Sequence, residues 1–146
     1  MTVPSRRTIR EAVGAGLTTA LSSLDPAPVV YDYMRTGFDG QSPIVRVWSD
    51  SSNRPDTRTQ GINTEFRVSV QVWVLIDENG TAAEQAASED TLDAIEYAIA
   101  DWLESNTQTD DWNEIRYDRQ SFIQTALVGT YTYIIENIYL LVLTDD

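Results

Sequence analysis

Glu65 to Ile76, EFRVSVQVWVLI, decides the fold. Phe66, Val68, Val70, Val72, Val74 and Ile76 fall on one side of an alternation, and Glu65, Arg67, Ser69 and Gln71 fall on the other. A period of two, rich in β-branched residues, is the mark of a strand with one buried face. A one-residue slip would turn all six apolar side chains into water. At about 1.5–3 kcal/mol for each large apolar side chain fully buried, that is enough to set the register. Trp73 and Leu75 break the alternation. This end of the strand is therefore expected to be covered on both sides, by another element or by another subunit.

Upstream, Ser5 is placed to cap a helix that runs to about Leu24, with Ile9, Val13, Leu17, Ala20, Leu21 and Leu24 at helical spacing. Gly14 and Gly16 weaken that helix by about 1 kcal/mol each relative to Ala. They also admit close approach, so tight packing on the sheet or on a neighbour is expected. Asp25-Pro26 stops the helix, because the residue before proline avoids the helical region. Pro28 to Tyr33 and Pro43 to Ser49 read as two strands of a hairpin joined through a glycine-containing turn. In the second, Ile44, Arg46 and Trp48 share one face, and Val45 and Val47 the other. The segment 50–61, DSSNRPDTRTQG, is a long polar loop carrying Arg54 and Arg58. It is either a contact arm or a surface loop.

Downstream, Asp77 to Ala87 has only Ala as apolar content and reads as a connection. Ser88 is placed to cap a second helix with the stripe Leu92, Ile95, Ile99, Trp102 and Leu103. Trp112 to Leu127 is a long strand with Ile115, Tyr117, Ser121, Ile123 and Leu127 on one side and Phe122 on the other. Val128-Gly129-Thr130 turns it into a final strand, Tyr131 to Leu143. The order describes a single α+β domain over residues 1–146: a mostly antiparallel sheet with two helices on one face. The other face is expected to carry Arg67, Gln71 and Trp73, with Glu136, Ile138 and Leu140. That is too apolar for plain solvated surface and points to a homo-oligomer. The candidate interface residues are Arg67, Trp73, Leu75, Ile138 and Leu140, with Arg54 and Arg58 in the loop. Arg6, Arg7 and Arg10 join them, because cations in a first helical turn oppose the helix dipole. Such residues serve either a partner contact or local salt bridges, for instance to Glu11 or Asp25.

Composition narrows the chemistry. The chain has 146 residues, 23 acids, 10 bases that are all Arg, and a net charge of −13. It contains neither His nor Cys. Ser–His and Cys–His nucleophiles, disulfides and the usual zinc ligands are thereby excluded. Asp77-Glu78-Asn79-Gly80 lacks the spacing and closing Glu of an EF-hand, and Gly14-x-Gly16 does not follow a strand as a dinucleotide loop does. No enzyme, cofactor or metal site is expected. The acidic charge opposes non-specific adhesion to nucleic acid. No run is long enough to span a membrane and no signal peptide core is present, so passage through the general secretory route is not expected. Acid excess without Lys suits molar salt, where the Debye length is about 3 Å and like-charge repulsion is screened.

The element order and texture carry a resemblance. The N-terminal helix is followed by Val29-Val30-Tyr31, Pro43-Ile44-Val45-Arg46-Val47-Trp48 and the Arg67 to Ile76 strand. The Thr91-Leu92-Asp93-Ala94-Ile95 helix then ends in Trp102-Leu103 before the aromatic final strand. The whole resembles the tail terminator (tail completion, head–tail joining) proteins of long-tailed viruses, and the composition is similar to that of haloarchaeal viruses. The resemblance implies a homohexameric ring on the head-proximal end of the tail tube, at the tail–neck junction of a virion assembled in the host cytoplasm. Its partners would be the tail tube protein and a neck or stopper protein. Genomic DNA would pass through the lumen without sequence recognition. The alternatives are another neck ring or minor tail protein, or a cellular acidic binding module of a halophile.

Overall fold

The computed structural model describes residues 4–54 and 64–145. The fold is α+β, with one five-stranded mixed sheet and two helices. The elements are α1 (Arg6–Leu21), β1 (Val29–Tyr31), β2 (Ile44–Asn53), β3 (Thr64–Ile76), α2 (Ala82–Ser105), β4 (Glu114–Val128) and β5 (Tyr131–Thr144). The strand order is β1-β2-β3-β5-β4, with every pair antiparallel except β1-β2. The alternating stretch is thus the central strand, flanked by β2 and by the final strand β5.

The even residues of β3 face the helices. Phe66, Val68, Val70, Val72 and Val74 are buried with Ile9, Val13 and Leu17 of α1 and Leu92, Ile95 and Ile99 of α2. Ser5 caps α1, its Oγ accepting from the Thr8 amide at 3.0 Å, and the helix ends at Leu21, before Asp25-Pro26 is reached. The small residues of α1 are used within the chain. A Cβ on Gly16 would lie 2.4 Å from the Trp102 indole of α2, and one on Gly14 would lie 2.6 Å from Asp32 Cβ.

Four expectations need correction. First, β1 and β2 do not form a hairpin but run parallel, Val29 opposite Ile44 and Tyr31 opposite Arg46. The connecting segment 32–43 must therefore travel back along the sheet, and its Phe38 packs on the face opposite the helices. Second, β2 continues to Asn53, so the first part of the segment read as a polar loop is strand. Third, α2 begins at Ala82, well before Ser88. Thr81 caps it: the Glu84 amide donates to Thr81 Oγ1 at 3.2 Å, and that hydroxyl in turn donates to Glu84 Oε1 at 3.1 Å. The alanines that look like a weak connection are the strongest helix formers. Fourth, Glu136, Ile138 and Leu140 lie on the helix side. The register pairs them with Val72, Val70 and Val68, and Ile138 and Leu140 are 1% and 0% exposed.

Glu136 is consequently a carboxyl buried beneath α2. It accepts from Ser121 Oγ at 2.9 Å, and no described cation pairs with it. Burial raises its pKa; the Ser121 bond opposes this, and Glu96 and Asp93 of α2 add to it. A raised carboxyl pKa means that the charged form is disfavoured in the fold, so stability is lost above the folded pKa and regained as pH falls through it toward the unfolded value. Glu136→Gln is expected to stabilise the chain at pH 7 by about 1 kcal/mol, near 3 °C in Tm. The gap between variant and parent closes as pH drops toward 4.5. Paired thermal melts across that range check it, and a constant gap would refute the assignment.

Candidate interaction surface

The other edge of the sheet is β4, and its two halves differ. Along Glu114 to Ser121 the pairing with β5 is interrupted between Tyr117 and Arg119 and again between Arg119 and Phe122. Each interruption adds one residue on β4, so the alternation resumes with its original sides. This half carries Glu114, Arg116, Asp118 and Arg119. Charges and bulges of this kind protect an edge from pairing with another chain. From Phe122 to Val128 (FIQTALV) the pairing is regular and there is no charge and no proline. The outer backbone of this half has no strand beside it among the described residues.

Neither helix shelters this half. Tyr117, Ile123 and Leu127 project on the helix side and are exposed, Leu127 at 71%. Tyr97 on α2 is 74% exposed. On the opposite side, Phe122 stacks on Tyr139 at 6.1 Å, and the Arg119 guanidinium lies 3.8 Å above the same ring. Edge backbone and apolar side chains are therefore open together over one stretch. That combination distinguishes this surface.

The face opposite the helices is covered at one end from within the chain. Phe38, Ile44, Trp73, Tyr133 and Ile135 form a second buried cluster, with Leu75 partly buried against it. Trp73 meets Phe38 and Tyr133 edge-on at 4.8 and 5.2 Å. It is an intrachain core residue, 8% exposed. Beside it, Arg46 lies within 4.9 Å of the Trp48 ring and 5.2 Å of the Trp73 ring. Its Nε donates to Gln71 Oε1 at 2.8 Å and its Nη1 to the Arg35 carbonyl at 2.6 Å. Burial lowers its pKa. Gln71 continues the row by donating to Asn137 Oδ1. This half-buried cation is held by rings and neutral acceptors, with no ion pair among the described residues.

The remaining candidates divide. Arg67 is tied to Asp118 at 3.4 Å and to Glu65 at 3.6 Å. Arg7 forms an i,i+4 ion pair with Glu11 at 2.8 Å, the local salt bridge foreseen. Arg6 and Arg10 make no ion pair among the described residues. Arg54 donates to the Pro4 carbonyl at 2.9 Å and lies over Phe66, which brings it to the start of α1. Arg58 lies outside the described residues. The β4 edge, Tyr97 and Arg46 were not among the sequence candidates. FIQTALV is an uncharged run ending at a glycine turn, and nothing in that pattern marks it as an edge, which follows from the strand order.

Among the described residues there is no group of three or more acids able to hold a metal ion, and no helix long and apolar enough to cross a membrane. No protein-family model matches the chain, and no curated protein does. One similar solved structure shares 19% identity over 94% of this chain and 95% of its own, with a TM-score of 0.54. That likeness supports the fold alone.

Proposed function

We propose that this chain is a structural virion protein whose copies close into a ring at the head-proximal end of a tail tube, ending tube growth and joining tail to neck. The observation that carries it is the unprotected half of β4, an uncharged strand edge flanked by exposed apolar side chains on a small α+β unit. Such an edge is a template for another chain, and soluble monomers ordinarily block it. The net charge of −13 fits a lumen through which DNA slides, because an acidic wall offers no phosphate neutralisation. Acid excess without Lys fits assembly in molar salt.

The test is assembly in molar KCl, followed by light scattering and negative-stain imaging. The expected species is about six times the 16.4 kDa chain, with a central hole. Added to growing tail tubes, it should cap one end and halt elongation. A stable dimer that leaves tube growth unchanged would sink the terminator role and favour a cellular binding module.

A further inference from the structure

The proposed ring does not by itself say which surfaces meet; charge and strand level on the chain select a pair. The helix layer is polarised. α2 carries seven acids and no base, and at its β4 side Glu96 acts electrostatically on Glu136 and Tyr117, and Asp93 on Glu136. α1 carries three Arg and one Glu, with Arg54 held beside its start. The sheet's two ends also match. β1 is short and has no strand on its outer side among the described residues, with Val29 exposed. Following the pairing across the sheet places Val29, Ile44, Trp73, Ile135 and Gln124 in one row. Tyr31 falls in the row of Phe122. The edge strand β1 is thus level with Phe122–Gln124, the first three residues of the uncharged half of β4. The pairing directions make β1 antiparallel to β4, so a laterally repeated sheet would continue with an antiparallel pair.

From this we infer that a second copy of this chain docks head to tail, its β1 edge pairing with Phe122–Gln124 of the first. Its Arg-bearing α1 then lies beside the acidic α2 and covers Tyr97, Ile123 and Leu127. The competing arrangement, two β4 edges about a two-fold axis, would place two α2 helices on the same side of one sheet and leave both α1 helices outside. The head-to-tail contact joins unlike charges and two different surfaces, which is the kind of junction that generates rings or filaments. It rests on the self-assembly proposed above and assigns the surfaces.

Two variants test it by sedimentation velocity in molar KCl. Ile123→Glu/Leu127→Glu alters only exposed β4 side chains, and Val29→Glu alters an exposed β1 side chain. Tyr97→Glu stands in for the first if circular dichroism shows the double variant unfolded. Each variant alone should self-associate at least tenfold more weakly than the parent. Mixed, they retain one intact surface each and should form a species of two 16.4 kDa chains. Parent-like assembly by Val29→Glu, with the β4 variant monomeric, would replace this junction by the two-fold one. Parent-like assembly by both would remove the edge from the contact while leaving the ring standing. A parent chain monomeric up to about 1 mM would overturn the junction outright. Head-to-tail assembly by a chain that never caps tails would sink the virion role and leave the junction intact.

Discussion

Trp73→Ala is expected to cost about 3–5 kcal/mol in chemical denaturation, the range for truncating a large buried aromatic side chain. The loss should be the same at all protein concentrations. Trp73 is covered by Phe38 from the 32–43 segment and by Tyr133 of β5, all within one chain. Truncation therefore opens a cavity in the folded monomer and releases the segment that closes over it. Were the cover a second subunit, the variant would weaken association and leave the monomer's stability nearly unchanged. Phe38→Ala should also destabilise. A double-mutant cycle between the two should show a coupling of about 0.5–1.5 kcal/mol, as edge-on aromatic pairs do. A loss below 1 kcal/mol, or one that deepens on dilution, would return Trp73 to the interface.

Gly16→Val is expected to cost about 3 kcal/mol by overpacking. Helix propensity recovers only part of this, because Val is a modest helix former. The new Cβ would lie 2.4 Å from the Trp102 ring. That ring cannot swing away freely, since Trp112 packs edge-on against it at 6.0 Å and donates its own Nε1 proton to the Asn106 carbonyl at 2.9 Å. The near-ultraviolet dichroism of the two indoles should change with the substitution. Placing the same Val in a Trp102→Ala background should remove most of its cost. An equal cost with and without the indole would show that Gly16 is required by the helix backbone and not by the neighbouring ring.

Several features were legible because they depend on local pattern. The six apolar residues of β3, the cap at Ser5, the stripe of α2 and the turn at Gly129 all follow from spacing and residue type. The sides of β4 were legible too, since its two interruptions together preserve the alternation. The start of α2 was hidden by alanines, which signal helix through propensity and not through an apolar stripe. The covalent order of β1 and β2 does not state their relative direction. A segment from 32 to 43 can turn back as a hairpin or cross over, and Phe38 packing on Trp73 belongs to the second choice.

The candidate surface divides along the same line. Trp73 and Leu75 announce that one end of the sheet is covered twice, which is a property of sequence. What covers it depends on which chain segment passes there. Ile138 and Leu140 look available on an apolar strand, yet their pairing with Val70 and Val68 buries them under the helices. By itself, then, the sequence determined the α+β class, the central strand and its buried face, and the absence of His and Cys chemistry, because these rest on residue identity and spacing. Only the tertiary structure decided that β4 lies at the edge, that neither helix shelters its uncharged half, and that the Arg-bearing helix lies over β1 and β2 while the acidic one lies beside it over β3 and β5. Those are relations between elements distant in sequence, set by the strand order.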